Sequence, residues 1–259
     1  MNKTKNRDLE LSIVKMADHI QERELPWVSG IYPSEMAFFL GVCEAENIDL
    51  IIESGRGPDA YSTNCIGHYV DKHDNIRAVS IDFAPIRTKH YGRNLASYSS
   101  LNCLHGDSIK RIPDMMRSVK GRVAFLIDGP KNELAIDLGL GILSHYHPAV
   151  IAFHNMPLNE WNHDECNRRG MELFHYEALS LESYPEWNKF REFEARLTDS
   201  HVNNQRSLAQ SSLALARPEY LQQNLRMTIR ANAMASYWRK CSNWVYRFLR
   251  NHKRKCMLP

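Results

Sequence analysis

Polar and glycine residues with the chemistry of a ligand site recur at five places along this 259-residue chain, each directly at or after an apolar run. In chain order they are Glu53, Gly55, Gly57, Asp82, Asp107, Ser108, Asp128, His154 and Asn155. Glycine lets the backbone turn tightly and approach a ligand with no Cβ in the way. A carboxylate that ends a strand can accept hydrogen bonds from ribose hydroxyls, and an acid beside a hydroxyl can meet the polar edge of an adenine. The set predicts a site for an adenosine-containing ligand.

The elements that position these residues alternate between two types. Apolar stretches that fit short strands occupy residues 48–53, 76–82, 101–106, 123–128 and 149–154, and stretches with helical periodicity separate them. This alternation predicts βαβ units and a parallel sheet covered by helices on both faces. Because ligands bind beyond the carboxyl ends of the strands in such a sheet, we expect the polar residues to meet at one edge.

For the whole chain we predict an α/β fold, a Rossmann-like three-layer sandwich with N-terminal helices. Its mostly parallel sheet has seven strands, the last two over residues 171–175 and 212–216. A helical segment over residues 1–30 precedes this domain, which spans 31–217. A basic amphipathic helical tail over 218–259 follows it.

Composition narrows the class of protein. Hydrophobic residues make up 43% of the chain and charged residues 24%, values typical of a folded globular protein. The polar N-terminus lacks the apolar core of a signal peptide, and no apolar run is long enough to span a bilayer. Six scattered cysteines form no CxxC pair, which argues against a disulfide framework or a zinc site. We therefore expect a cytoplasmic protein.

The net charge of +3 is unevenly distributed. Residues 218–259 contain nine Lys or Arg and one acid, a charge of +8, so the rest of the chain carries −5. Within 234–255, apolar and aromatic residues repeat at helical spacing among basic ones. Such a helix can lie on the anionic inner face of a membrane, or pack on its own domain or on a second subunit. The acidic remainder makes nucleic acid a poorer partner.

Residues 31–156 resemble the class I S-adenosylmethionine-dependent methyltransferases. The similarity is greatest to the O-methyltransferase branch that includes catechol-type and macrolide-sugar enzymes. The helix IYPSEMAFFLGVCEA, the loop IIESGRGPDAYST and the segments AVSID, LHGDS, FLIDGPK and VIAFHN match that family in order and spacing. The resemblance implies a Rossmann-like fold, S-adenosylmethionine as cofactor, and methylation of a hydroxyl on a small molecule, sugar or glycan.

The same resemblance implies a role for each residue of the cofactor set. Glu53, Gly55 and Gly57 would hold the methionine part, Asp82 the ribose hydroxyls, and Asp107 with Ser108 the adenine. This sequence departs from the family where the third glycine of the loop is replaced by Asp59-Ala60.

The catalytic positions implied by the resemblance are Asp128 and His154. Together with Asn155 they fall where metal-dependent members place Asp, Asp and Asn. A divalent ion there, magnesium or manganese, would lower the pKa of the acceptor hydroxyl so that it attacks the methyl group as an oxyanion. His154 replaces the usual acid, and a set containing histidine suits manganese better than magnesium. Without a metal, His154 is the candidate general base.

Two other functions fit part of this pattern. The spacing Gly55-x-Gly57-x-x-Ala60 satisfies the dinucleotide fingerprint of NAD(P)-dependent oxidoreductases, with Asp82 about 20 residues further on. Asp59 argues against that function, because its charge would repel a pyrophosphate at the helix N-terminus. The altered loop and His154 also fit a catalytically degenerate domain that binds a partner.

Overall fold

The computed structural model describes residues 3–27, 29–57, 59–83, 95–158, 160–199 and 213–216. Two helices come first along the chain. They are α1 (Lys3–Arg23) and α2 (Pro33–Ala45). The two helices pack on each other, and side chains of α1 such as Ile13 and Ala17 are fully buried beneath α2. Helix α1 is therefore part of the same hydrophobic core as the sheet.

Strands and helices then alternate, as the sequence predicts. The described elements are β1 (Leu50–Ser54), α3 (Tyr61–Asp71), β2 (Arg77–Asp82), β3 (Leu101–His105), α4 (Ser108–Met116), β4 (Val123–Ile127), α5 (Glu133–Tyr146), β5 (Val150–Phe153), α6 (Trp161–Arg168), α7 (Pro185–Asp199) and β6 (Ala214–Ala216). Two short 3-10 helices, Tyr176–Ala178 and Leu181–Ser183, lie between α6 and α7.

One sheet has the strand order β3-β2-β1-β4-β5-β6. Strands β1 to β5 are parallel, and β6 pairs antiparallel with β5. Every side chain of β4 and β5 is buried, because a parallel strand covered by helices on both faces has no solvent side. The strand order reverses between β1 and β4, which opens a crevice at their carboxyl ends. The predicted α/β, Rossmann-like fold with a mostly parallel sheet is confirmed.

The strand count differs from the prediction of seven, since the sheet has six strands within the described residues. In the predicted strand 171–175, Phe174 forms an isolated antiparallel bridge with Leu215, and the two residues exchange two backbone hydrogen bonds of 2.8 Å. Met171 is also a bridge residue, but the residues between Met171 and Phe174 are not in a strand. After His175 the chain turns into the 3-10 helix Tyr176–Ala178.

The polar stretch 185–211, predicted as a connection between the last two strands, contains helix α7. Trp187, Phe190, Glu194 and Thr198 are all buried, and their spacing of three to four residues places them on one helical face. Two of these four residues are polar, so the apolar periodicity on which the sequence prediction depended is broken on this face.

Some predictions concern residues outside the described ranges. The predicted helix 89–97 overlaps them only from residue 95, and the basic tail 218–259 lies wholly outside, as does its amphipathic part 234–255. The division of the chain into three segments stays a prediction. Across the described ranges, no helix combines the length and the apolar character that a membrane crossing requires.

Candidate functional site

A cleft of about 280 Å³ opens where the segments after β1, β2, β3 and β4 meet. Its size is close to the lower limit of about 300 Å³ for small-molecule sites. It contains the topological switch point between β1 and β4, the place where open α/β sheets bind ligands. The polar and aromatic residues that line it are Asp82, Phe83, Asp107, Ser108, Asp128 and Lys131, and Gly55 and Gly57 line it as well. The structure thus brings together five of the six predicted cofactor residues.

Gly55 allows the loops after β1 and β4 to meet at the base of the cleft. Its φ is +90°, and a Cβ at this position would lie 2.4 Å from the backbone nitrogen of Gly129. Only glycine avoids both the strain of positive φ and this collision. The hydroxyl of Ser54, the preceding residue, donates to the carbonyl oxygen of Gly129 and lies 2.7 Å from the hydroxyl of Ser108, from which it can accept. The three loops are therefore joined directly below the cleft.

Asp82 fixes the conformation of the glycine loop, by which we mean Gly55, Arg56 and Gly57. Its Oδ2 accepts hydrogen bonds from the backbone N–H groups of Arg56 at 2.7 Å and of Gly57 at 3.0 Å. Asp82, the residue predicted to bind the ribose hydroxyls, thus lines the cleft and also orients the loop beside it.

Asp107 lies at the N-terminus of α4 with one oxygen used and the other not. Its Oδ1 accepts a hydrogen bond of 3.0 Å from the backbone N–H of Ile109, which caps the helix. Its Oδ2 is buried and has no hydrogen-bond partner among the described residues. Burial raises the pKa of Asp107, and the bond from Ile109 and the charge of Lys110 offset part of that rise. A buried acceptor without a partner is uncommon in native proteins and requires an explanation.

Glu53, predicted to hold the methionine part of the cofactor, is not among the residues that line the cleft. Its carboxylate is buried and accepts hydrogen bonds from the hydroxyls of Ser62 and Thr63 at 2.5 Å each, and from Ser80. Burial raises the pKa of Glu53, and these three hydroxyls together with the charge of Arg56 offset part of the rise. The acid at this position joins β1 to β2 and to the first turn of α3.

Ala60 stands where the resemblance leads one to expect a third glycine. It precedes α3 with φ of +51°, a left-handed conformation that L residues adopt at a cost, and it is 2% exposed. The neighbouring Asp59 accepts a hydrogen bond of 2.7 Å from Ser29. The chain therefore keeps the backbone geometry of a glycine loop without the third glycine.

Asp128 and His154, the predicted catalytic residues, are in contact. His154 Nδ1 lies 2.6 Å from Asp128 Oδ1, and the Lys131 ammonium forms an ion pair with the same oxygen. Burial raises the pKa of Asp128, but the hydrogen bond and charge of His154 and the charge of Lys131 outweigh it, so the net pKa is below the ordinary value. On its other side, His154 Nε2 lies 3.9 Å from the buried carboxylate of Glu35. The imidazole is thus held between two carboxylates.

The three predicted metal ligands come together, but their contacts do not fit a divalent ion. Asn155 Nδ2 lies 3.3 Å from His154 Nδ1, while that nitrogen and the Lys131 ammonium already share Asp128 Oδ1. An ion would have to displace both donors from this oxygen and would meet the positive charge of Lys131. Across the described ranges, no group of three His, Cys, Asp or Glu is placed to hold a metal. Asp128, His154 and Asn155 as metal ligands stay a prediction.

Two residues of this site were not predicted from the sequence. Phe83 lines the cleft with 51% of its surface exposed, and the signal for it was an aromatic residue directly after the strand-end acid. Arg56, inside the glycine loop, is only 6% exposed. No sequence signal distinguishes this arginine from a solvated one, because long cationic side chains in loops are mostly exposed.

No protein-family model matches the sequence, and no curated protein does. Among solved structures, the chain is similar to an O-methyltransferase from Bacillus cereus in complex with SAH, at 12% identity and a TM-score of 0.45 over 79% of this chain and 90% of that one. It is also similar to the O-methyltransferase TomG from Streptomyces achromogenes, involved in tomaymycin synthesis and in complex with SAM, at 16% identity and 0.44 over 80% and 88%. The SAH-bound methyltransferase PaMTH1 of Podospora anserina gives 10% and 0.41 over 80% and 87%. Because these scores and identities are low, the functional proposal depends on the residues of this chain.

Proposed function

We propose that this chain is an S-adenosylmethionine-dependent methyltransferase that methylates a hydroxyl of a small molecule, a sugar or a glycan. The observation that carries the proposal is Asp107 Oδ2, a buried acceptor without a described partner in a residue that lines the cleft. The 6-amino group of an adenine is a donor of the kind that this oxygen lacks. A bound adenosine would therefore satisfy the acceptor that the protein leaves open.

Two neighbours of Asp107 around the cleft support an adenosine. Phe83 offers an exposed aromatic face on which a purine can stack. Asp82 precedes it at the end of β2, where a carboxylate can accept hydrogen bonds from ribose hydroxyls. The adenine and the ribose of an adenosine thus have candidate partners at the ends of the adjacent strands β2 and β3.

The charges around the cleft favour a cationic cofactor over a dinucleotide. Three carboxylates, Asp82, Asp107 and Asp128, and a single ammonium line it. Glu53 adds a further buried carboxylate against the first turn of α3, where a dinucleotide would place its pyrophosphate. Negative charge repels a pyrophosphate and attracts the sulfonium and ammonium of S-adenosylmethionine. The electrostatics therefore argue against NAD(P), the alternative left open by the sequence.

We assign the transfer step to the pair at the ends of β4 and β5, of which Asp128 lines the cleft and His154 does not. When bound, S-adenosylmethionine supplies a methyl group that an oxygen nucleophile can attack. His154 would accept the proton of the acceptor hydroxyl while that oxygen bonds to the methyl carbon and the methyl–sulfur bond breaks, which leaves S-adenosylhomocysteine. Asp128, bonded to Nδ1, holds the ring and stabilises the imidazolium. Lys131 offers its ammonium to the oxygen on which negative charge develops.

The direct test is a calorimetric titration of the full-length protein with S-adenosylmethionine, S-adenosylhomocysteine, NAD and NADP, each with and without magnesium or manganese. We expect binding of the two adenosyl-sulfur compounds alone. Binding of NAD or NADP instead would overturn the proposal in favour of an oxidoreductase, and binding of none would favour a degenerate module. A dependence on metal would support Asp128, His154 and Asn155 as ligands.

The role of Asp107 is tested in the same titration by Asp107→Asn. The amide nitrogen cannot accept a bond from an adenine amino group, so we expect S-adenosylhomocysteine affinity to fall about tenfold. Asp114→Asn is the matched control, because Asp114 lies on the same helix with 70% of its side chain exposed. Equal affinities for the two variants would remove the observation on which the proposal depends.

A further inference from the structure

Arg56 is the residue of the glycine loop whose side chain lies beneath the cleft. Its Nε donates to Ser80 Oγ at 3.1 Å, and its Nη2 donates to the carbonyl oxygens of Ser80 at 3.1 Å and Leu104 at 3.2 Å. Ser80 belongs to β2 and Leu104 to β3. The guanidinium therefore ties the loop that follows β1 to the two strands beside it, and burial at 6% exposure shields these bonds from water.

The buried charge of Arg56 is balanced through a hydroxyl. Ser80 Oγ accepts from Arg56 Nε and donates to Glu53 Oε2. Burial raises the pKa of Glu53, and the positive charge of Arg56 is one of the influences that lower it again. Glu53 extends the connection to Ser62 and Thr63 at the start of α3. One buried network thus joins both ends of the segment between β1 and α3.

The main chain of the same loop faces Asp82. The N–H groups of Arg56 and Gly57 both donate to Asp82 Oδ2, so the side chain of Arg56 is anchored under the loop while its backbone orients a residue of the cleft. Ala60, which follows this loop, has less backbone freedom than the glycine that the resemblance leads one to expect at its position. The conformation of the segment between β1 and α3 therefore depends more on these contacts.

We propose that Arg56 is a positioning residue for the cofactor, whose guanidinium holds the glycine loop in the conformation that binds Asp82 and shapes the cleft wall. This inference rests on the proposed function, because S-adenosylhomocysteine is the probe. Residues that fix the ligand-contacting groups determine affinity without touching the ligand.

The experiment compares Arg56→Met with Arg169→Met in the full-length protein. Arg169 is also a largely buried arginine, bonded to Glu165 and Asp137, but it lines no part of the cleft. Each variant loses one arginine that lies near carboxylates, so the two are comparable. Thermal unfolding curves of both variants establish a temperature at which both are folded. At that temperature we expect S-adenosylhomocysteine to bind Arg56→Met about tenfold more weakly than wild type, a change of about 1.4 kcal/mol. Arg169→Met should keep the wild-type affinity.

Amide hydrogen exchange provides a readout that needs no cofactor. The Gly57 N–H, bonded to Asp82, should exchange faster in Arg56→Met and keep its protection in Arg169→Met. Arg56→Lys retains the charge but not the planar set of donors, so it should fold where Arg56→Met does not and still bind the probe more weakly. Wild-type affinity and unchanged Gly57 exchange in the Arg56 variants would overturn the inference. Failure of the wild type to bind would instead count against the proposed function, and the exchange data would still decide whether Arg56 holds the loop.

Discussion

The N-termini of α4 and α2 both carry buried carboxylates, yet the two differ in what those carboxylates bind. At α4, Asp107 uses one oxygen as a cap and leaves the other without a described partner. At α2, Glu194 accepts from the Ser34 N–H at 2.7 Å and pairs with Arg191, whose Nη1 also donates to Ser34 Oγ at 2.8 Å. Glu35 accepts from the backbone N–H groups of Tyr32 and Leu213 at 2.8 Å and 3.0 Å.

The comparison distinguishes carboxylates that support the fold from a carboxylate that has an oxygen available for a further hydrogen bond. The carboxylates at α2 have their hydrogen bonds satisfied within the protein and connect α2 to α7 and β6. The carboxylate at α4 has an oxygen without a partner among the described residues, and Asp107 lines the cleft at the carboxyl edge of the sheet. We therefore expect it to bind the ligand of the proposed function. The acids differ in place, since Asp107 is the N-cap of α4, Glu35 lies in the first turn of α2 and Glu194 belongs to α7. What separates them for the proposed function is the hydrogen-bond capacity that Asp107 leaves unused among the described residues.

The largest effect on stability is expected at Gly55, where the loops after β1 and β4 meet beside the N-terminus of α4. Gly55→Ala would place a methyl group 2.4 Å from the Gly129 nitrogen at a φ of +90°. We expect a loss of about 3 kcal/mol or more in the free energy of unfolding, measured by urea denaturation, from the combined strain and overpacking. Gly57→Ala is the control, since its φ of +70° carries strain but its Cβ would meet no atom of the other described residues within 4 Å, and it should cost only about 1 kcal/mol. Similar losses for both variants would show that the close approach of the two loops is relaxed at little cost.

A somewhat smaller effect on the free energy of unfolding is expected at the N-terminus of α2. Glu194→Gln removes a buried carboxylate from Arg191 and should lower the free energy of unfolding by about 2 kcal/mol. Affinity for S-adenosylhomocysteine should not change, because Glu194 lies outside the cleft. Unfolding and calorimetric titration of the same preparation measure both. A loss of affinity as large as that of Asp107→Asn would contradict the division between a binding and a supporting terminus.

The smallest effect on stability concerns pH, where Asp107 at the α4 terminus and His175, which lies outside both termini, should respond in opposite directions. Burial and the neighbouring His163 lower the pKa of His175 to about 4. Because its unfolded pKa is about 6.5, the stability from neutral His175 is present above that pH and is lost as pH falls towards 4, by about 1 kcal/mol at pH 5.5. Asp107 has a raised pKa, so its contribution is present at low pH and is lost as pH rises through that pKa.

The pH effect is measured by urea unfolding at pH 7.5 and 5.5. His175→Gln should reduce the difference in stability between the two pH values, whereas the exposed His147→Gln should leave it unchanged. If His175→Gln keeps the full wild-type difference, the ring is not held neutral by its surroundings.

Several features of the fold follow from local pattern alone. The all-buried strands β4 and β5 are continuous apolar runs, as expected for a parallel sheet covered on both faces. Helix α7 escaped prediction because its buried face includes Glu194 and Thr198, whose burial depends on partners far away in the sequence. The strand predicted over 171–175 did not form for a related reason, since a strand requires pairing over several consecutive residues and this segment has isolated bridges at Met171 and Phe174.

For the candidate site, the sequence by itself determined the order of the chemical groups along the chain, because each stands at or after the end of a strand whose pattern is local. Glycines follow β1, an acid ends β2, and further acids follow β3 and β4. Only the tertiary structure decided which of these residues face the cleft. It buried Glu53 under three hydroxyls, turned Asp107 Oδ2 into an acceptor without a described partner, and drew Arg56 beneath the loop. These outcomes depend on contacts between strands adjacent in the sheet but separated by tens of residues in the chain. A sequence pattern records which residue follows a strand, whereas packing determines which hydrogen bonds are left for a ligand.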